Sequence, residues 1–155
     1  MSELSRLERT YSFILNRMVQ TGRAPFYTEL AAELGVSMEE GRKALQDLLT
    51  VGFAAWVFPK TDFIASFSPF SNLPTQYKIT VAGEEKWFGQ CGFESLAVSW
   101  LFRGKKVTIE APCLDCGLPM RVDMKDGVIE NAEPQGLVGY TSVPVREWAT
   151  DWPYN

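Results

Sequence analysis

Hydrophobic positions in the first third of the chain recur at helical spacing in three separate runs. In residues 3–20, apolar side chains return every three or four positions, which predicts an amphipathic helix. Thr28 is expected to cap a short second helix over residues 29–34. Ser37 and Glu40 form a capping-box pattern at the start of a third apolar-periodic run. The pattern therefore predicts three consecutive helices.

A strand and a proline-containing segment are expected next. The third helix is predicted to stop near Gly52, and the aromatic-rich residues 53–58 are typical of a strand. Three helices followed by a strand indicate a winged-helix-like domain over residues 1–58. Residues 59–76 contain three phenylalanines, so we expect a connecting segment packed on the core instead of a free tether.

The remaining residues, 77–155, alternate in hydrophobicity and predict a small mixed or antiparallel sheet with one helix, which gives an α+β fold class. The aromatic residues of 148–155 suggest that the tail docks on the domain. Strands are predicted over residues 77–81, 86–88, 106–110, 120–124, 128–129 and 137–140.

The one helix expected in this half, residues 92–102, begins just after a cysteine. At 100° per residue, Cys91 and Glu94 fall on one side, so the apolar stripe opposite them should be buried. That stripe consists of Phe93, Leu96, Ala97, Trp100 and Leu101. A thiol at a helix N-terminus should have a lowered pKa. A carboxyl group in a partly apolar pocket should have a raised pKa.

Composition and charge narrow the classes of partner. The chain of 155 residues is 46% hydrophobic, enough for a packed core, and its net charge of −4 gives no general attraction for nucleic acid. Residues 1–52 hold six basic and seven acidic side chains, so DNA is a less favoured partner. No apolar run reaches the length of a membrane span, and no signal-peptide core is visible, so we expect a cytoplasmic protein without a membrane partner.

The cysteines supply the candidate metal chemistry. Cys91, Cys113 and Cys116 are the three cysteines of the sequence and lie within 26 residues, and the sequence has no histidine. Any metal site is therefore limited to thiolate and carboxylate ligands, with Glu94 or Asp115 as a further ligand. Such a soft site would suit zinc, copper(I) or mercury(II).

Residues 69–136 resemble the catalytic region of the alkylmercury lyases, also called organomercurial lyases. The N-terminal helical unit also resembles the domain with which that family begins. The resemblance is carried by PFSNLPT at 69–75, Cys91-x-x-Glu94, Cys113-x-x-x-Gly117 and Glu133-Pro134-x-Gly136.

The resemblance implies a mechanism without a resident cofactor. Family members hold the mercury of an organomercurial between two thiolates while an aspartic acid protonates the leaving carbon. Cys91 would be the first thiolate, and Glu94 stands where the family has aspartate. The family's second catalytic cysteine lies downstream of the region that matches Cys113, and no cysteine follows Cys116 here. Either Cys113 or Cys116 has taken its place, or the chain does not cleave carbon–mercury bonds.

Two other functions fit the same residues. The first is a metal- or thiol-responsive regulator that uses the helical unit on DNA and the cysteines as a sensor. The second is a structural zinc domain without chemistry. The expected partner of the favoured interpretation is a small organomercurial or a soft metal ion.

Overall fold

The structure is a computed structural model that describes residues 5–141, 143–144 and 146–147. These residues form four helices and eight strands in two compact units, and the division falls between Phe67 and Ser68. The α+β class is confirmed. The predicted docking of the tail at 148–155 lies outside the described residues. The domain ranges 1–58, 59–76 and 77–155 stay a prediction.

The first unit contains three helices and an antiparallel pair of short strands. Capping boxes begin α1 and α3, and the one that joins Ser37 and Glu40 confirms the sequence prediction. The predicted start of the second helix was wrong. The Glu29 carboxylate accepts a hydrogen bond from the backbone N–H of Phe26 at 2.9 Å, so the helix begins at Tyr27 and includes Thr28 in its first turn. The elements are α1 Arg6–Thr21, α2 Tyr27–Leu34, α3 Met38–Leu49, β1 Ala55–Val57 and β2 Ile64–Phe67.

The core of this unit is built from the apolar stripes of its helices. Ile14 and Met18 of α1 are fully buried, and Leu30 of α2 and Leu45 of α3 are almost so. The predicted strand over residues 53–58 shortens to β1, and the Phe53 ring before it packs edge-on against other aromatic rings of the unit. Burial of these stripes explains why three helices form from short amphipathic segments.

The second unit is a six-stranded sheet with one helix. Every neighbouring pair of strands is antiparallel, in the order β3-β5-β4-β6-β7-β8. The predicted strand over residues 137–140 was wrong, since these residues adopt no regular structure. The elements are β3 Phe70–Ser71, β4 Lys78–Val81, β5 Glu84–Gly89, α4 Gly92–Leu101, β6 Lys106–Pro112, β7 Pro119–Lys125 and β8 Val128–Glu133.

The central strands β4 and β6 bury an apolar face of this sheet, and Thr108 on the opposite face of β6 is buried as well. Ile79, Val81, Val107 and Ile109 of the two central strands are buried. They provide the apolar layer on which a helix can pack. In the described part of the chain, no helix is long and apolar enough to cross a membrane.

Candidate functional site

The site begins where β5 ends and α4 starts. Cys91 is the N-cap of α4, with an extended backbone, and its sulfur accepts the backbone N–H of Glu94 at 3.4 Å. The Cys91 carbonyl accepts two further hydrogen bonds, from the Ser95 backbone N–H at 3.0 Å and the Ser95 hydroxyl at 2.6 Å. The predicted position of the thiol at the start of a helix is confirmed.

The face of α4 that is buried is the opposite of the one expected. Ser95, Val98 and Ser99 are buried, whereas Phe93 is 48% exposed and Trp100 is 66% exposed. The prediction that the large apolar stripe fills the core was therefore wrong. Periodicity identified the two faces correctly, but it assigned them to core and solvent by hydrophobicity alone.

Close contact between small residues explains this orientation. A Cβ atom added to Gly89, at the end of β5, would overlap the Ser95 hydroxyl and would lie 3.0 Å from Ser95 Cβ. Farther along the helix, the Ser99 hydroxyl accepts the backbone N–H of Gly127 at 3.1 Å. The serine face approaches the strands more closely than a row of aromatic side chains could. Its hydroxyls are satisfied by carbonyls of α4 and its N-cap and, for Ser99, by the Gly127 N–H in the turn after β7.

The Glu94 carboxyl lies beside Cys91 in a largely buried position. Its Oε1 atom accepts the Ser68 hydroxyl at 2.6 Å, and its buried Oε2 atom has no hydrogen-bond partner among the described residues. Burial raises the pKa of Glu94, and the nearby Ser68 hydroxyl and Cys91 thiol offset only part of that rise. The predicted direction is confirmed, so the carboxyl group keeps its proton to a higher pH than an exposed glutamate.

The predicted lowering of the Cys91 pKa was wrong. Burial raises the pKa of the Cys91 thiol, and the negative charge of Glu94 adds to the rise. The backbone N–H groups of Glu94 and Phe93 at the helix start act in the other direction but do not outweigh burial. The free site therefore favours a neutral thiol next to a carboxyl group of raised pKa.

Two polar residues of this site were not found from the sequence. Ser68 lies 26 positions before its partner Glu94, and no local pattern marks such a contact. Gln90 directly precedes Cys91, and its buried Oε1 atom has no hydrogen-bond partner in the described part of the chain. The Gln90 backbone N–H donates to the Pro69 carbonyl at 3.0 Å, which keeps the 68–69 segment next to the start of α4.

Cys113 and Cys116 lie in the turn between β6 and β7, as predicted. The Cys113 N–H donates to the Leu118 carbonyl at 2.8 Å, and the Gly117 N–H donates to the Cys113 carbonyl at 2.9 Å. Gly117 adopts φ 72°, a left-handed conformation that favours glycine. Both cysteines, like Cys91, are free thiols.

The sheet register relates the turn to Cys91. Phe88 of β5 and Glu110 of β6 both pair with Lys78 of the intervening strand β4. Cys91 and Cys113 each follow three positions later, so both cysteines leave the sheet at the same end, from strands about 10 Å apart. Among residues 5–141 and the described positions after them, no three Cys, His, Asp or Glu side chains form a group that could hold a metal ion. The three cysteines are thus not gathered into one such set.

The basic residues of α3 are occupied within their own unit. Arg42 forms an ion pair with Asp62 at 3.1 Å and lies over the Tyr27 ring at 4.8 Å. Lys43 forms an ion pair with Asp47 at 2.7 Å. These pairs neutralise the two cations that the helix could offer to phosphates, so no contact here favours a DNA-binding function.

A sequence model of the alkylmercury lyase family, MerB, matches residues 70–152, more than half of the chain. The chain belongs to the alkylmercury lyase family. The matched region contains Cys91, Glu94 and the β6–β7 turn. The resemblance noted at 69–136 is therefore confirmed.

The alkylmercury lyases of Bacillus cereus and Clostridium butyricum are each 27% identical to this chain over 124 residues. The alignments cover 80% of this chain but 53% of the relatives, so the chain spans about half their length. The crystal structure of the mercury-bound form of MerB2 is similar with a TM-score of 0.60 and 18% identity, and the match covers 84% of this chain and 68% of that one. That similarity shows a shared fold.

Proposed function

We propose that this alkylmercury lyase family member binds an organomercurial through Cys91 and cleaves its carbon–mercury bond with a proton from Glu94. One observation carries the proposal: a buried carboxyl group of raised pKa lies beside the thiol and is held by the Ser68 hydroxyl at 2.6 Å. A soft thiolate ligand suits mercury, and a positioned acid suits protonation of the leaving carbon.

The proposed reaction has two steps on the chain's own residues. First, the mercury of R–Hg⁺ forms a bond to the Cys91 sulfur, and the thiol proton moves to the ionised Glu94 carboxylate. Second, the carbon–mercury bond breaks and the carbon takes that proton from Glu94. The sum is R–Hg⁺ plus Cys–SH giving R–H plus Cys–S–Hg⁺, so no electron donor or acceptor is needed.

A second thiolate is needed to stabilise and remove the bound mercury ion. Cys91 and Cys113 leave the sheet from strands about 10 Å apart, farther than the roughly 4.6 Å that two metal–sulfur bonds span, so we infer that a small soluble thiol takes this position. Its sulfur binds the mercury on Cys91 and releases a proton to water. A second soluble thiol then replaces Cys91 on the mercury, and its proton returns to the Cys91 sulfur. This assignment replaces the open choice between Cys113 and Cys116 as the partner of Cys91.

The direct test is to incubate the protein with phenylmercury and excess monothiol and to measure benzene. Cys91→Ser is expected to lose benzene release. Glu94→Gln should retain bound phenylmercury but release benzene about 10²–10⁴-fold more slowly, the usual contribution of a general acid. The exposed pair Glu110–Arg121 supplies a matched control, Glu110→Gln, which should keep the wild-type rate.

Two results would contradict the proposal in different ways. Benzene release by Glu94→Gln at the wild-type rate would remove the proton-donor role. Stoichiometric mercury binding by the wild-type protein without any benzene would leave a mercury-binding protein that is not a lyase.

We also propose that the first unit is a winged-helix-like module with a structural role in a cytoplasmic protein. Its three helices and the β1–β2 pair support this assignment, as do the internal ion pairs of Arg42 and Lys43. The protein should pass through immobilised genomic DNA at moderate salt, with and without mercury. Retention of the protein would instead favour the regulator hypothesis.

A further inference from the structure

The β6–β7 turn carries two thiols outside the Cys91–Glu94 site, at the tip of a regular hairpin. The two strands stay paired from Lys106 opposite Lys125 to Pro112 opposite Pro119. Directly after the last pair, the Cys113 N–H donates to the Leu118 carbonyl and the Gly117 N–H donates to the Cys113 carbonyl, and these two hydrogen bonds close the turn. Because the backbone is hydrogen-bonded on both sides of the thiols, the turn holds Cys113 and Cys116 in one arrangement.

The turn also supplies polar groups to one of the sulfurs. The backbone N–H groups of Cys116 and Asp115 and the Cys116 thiol lower the pKa of Cys113, with the Cys116 backbone group as the largest cause. Cys116 itself is exposed, and Cys113 is half-buried. The hydrogen bond from the Gly117 N–H to the Cys113 carbonyl places both cysteines in one tight backbone turn, where both are accessible to an ion from solution.

The number of protein ligands at the turn indicates which metal ions it can bind. A structural zinc ion takes four protein ligands in tetrahedral geometry. The described part of the chain offers no third Cys, His, Asp or Glu that would complete a metal-binding group with these two thiols. A soft ion that is satisfied by two thiolates, such as mercury(II) or copper(I), does not need one.

We propose that Cys113 and Cys116 form a second, surface-exposed dithiolate site that binds one two-coordinate soft metal ion, independently of Cys91 and Glu94. With mercury(II), both S–H bonds are replaced by S–Hg bonds and two protons go to water, without oxidation or reduction. The site does not depend on carbon–mercury cleavage and would remain if that activity were absent.

The test uses the full chain with Cys91→Ser, which removes the first site. Inorganic mercury(II) is added with a large excess of a monothiol competitor, and the bound metal is counted by native mass spectrometry. We expect one mercury per chain in Cys91→Ser and none in Cys91→Ser with Cys116→Ser. The chelate formed by two linked thiols should exceed the affinity of one thiol by about 10²–10⁴-fold.

A matched control is Cys91→Ser with Ser71→Ala, which removes a hydroxyl elsewhere in the unit and should still bind one mercury. Circular dichroism of each variant checks folding, and Cys116 is exposed, so its serine variant should fold. Loss of mercury from Cys91→Ser, or its retention after Cys116→Ser, would overturn the site. Retention of zinc by Cys91→Ser against a chelator, and its loss on Cys116→Ser, would overturn the two-coordinate assignment.

Discussion

At the scale of single residues, the Glu94 carboxyl combines a raised pKa with one fixed partner. The Ser68 hydroxyl donates to one of its oxygens, while the other is buried without a partner in the described part of the chain. Burial favours the protonated acid, whereas the bond from Ser68 favours the carboxylate. In the proposed reaction, the balance between these two effects sets the pH range over which Glu94 can donate its proton.

Ser68→Ala should therefore move the pH dependence in a defined direction. Loss of this hydrogen bond raises the pKa of Glu94 further, so the acid stays protonated to a higher pH. In single-turnover release of benzene from preloaded phenylmercury, activity is lost as pH rises through that pKa. We expect the alkaline limb to lie at higher pH in Ser68→Ala than in wild type. Ser71→Ala is the control, and an unmoved limb in Ser68→Ala would contradict the role of Ser68.

Because its pKa is raised, the Glu94 carboxyl group should also make the free energy of unfolding decrease as pH rises. Its folded-state pKa is raised above the ordinary value of 4.5, so the unfolded chain loses this proton first as pH rises. Wild-type stability should decrease from about that pH until the folded-state pKa is passed. Glu94→Gln lacks this decrease, so its stability relative to wild type should be higher near neutral pH than near pH ~4. Urea unfolding at both pH values measures the difference, and a constant difference would contradict it.

At the scale of elements, the position of α4 depends on contact between small residues at the end of β5. Gly89→Ala should displace the start of the helix, because the new Cβ would overlap the Ser95 hydroxyl. We expect lower stability, faster alkylation of Cys91 and slower benzene release. Adding Ser95→Ala should recover part of the loss, and a double-mutant cycle measures the coupling.

Gly92→Ala provides the matched control, since a Cβ there would meet the Tyr77 ring at an ordinary 3.4 Å. It should keep Cys91 protected and the rate unchanged. If Gly89→Ala behaved like Gly92→Ala, the close packing between β5 and α4 would not position the site.

The β6–β7 hairpin, whose turn carries Cys113 and Cys116, is stabilised by Asp123. This side chain is 6% exposed, accepts the Thr108 hydroxyl at 2.6 Å, and pairs with Lys106 at 3.1 Å and Arg121 at 3.0 Å. Burial alone would raise the pKa of Asp123, but the bonds from Thr108, Lys106 and Arg121 hold it below its ordinary value of 3.8. Its contribution to stability is present above the unfolded pKa and is lost as pH falls through the folded one.

Asp123→Asn should lower the free energy of unfolding by about 1–3 kcal/mol at neutral pH, as expected for a buried carboxylate deprived of its charge-assisted hydrogen bonds. Its deficit relative to wild type should shrink in acid. Chemical denaturation at several pH values measures this effect. Glu110→Gln, at the exposed pair with Arg121, should change stability by less than ~1 kcal/mol. Equal effects of the two substitutions would show that burial of Asp123 does not matter.

At the scale of the whole molecule, the chain spans about half the length of its curated relatives and carries three cysteines that do not converge on one described metal group. Turnover should therefore depend on added thiol. Without it, mercury stays on Cys91 or moves once to the Cys113–Cys116 turn, so at most two benzenes are released per wild-type chain and at most one per Cys116→Ser chain. With excess monothiol, release should continue over many turnovers, in Cys116→Ser as in wild type. Repeated turnover without thiol would show that the chain supplies its own second ligand.

The sequence by itself determined features that depend on nearby residues. The spacing of Cys91 and Glu94 predicted that both lie at the start of one helix. Alternating strands on both sides of Cys113 and Cys116 predicted that these thiols lie in a turn. The Ser37–Glu40 pattern predicted the start of α3. These features follow from backbone periodicity and from hydrogen bonds over three or four positions, which are local.

Only the tertiary structure decided which face of α4 is buried, that Ser68 holds Glu94, and that burial outweighs the helix terminus at Cys91. Each of these depends on segments that are distant in sequence. The serine face of α4 is the buried one because β5 ends in Gly89, which lets the helix approach the strand closely. The pKa of the Cys91 thiol rises because the surrounding residues exclude water from it. Packing and desolvation are sums over many distant neighbours, so they cannot be obtained from the spacing of a short motif.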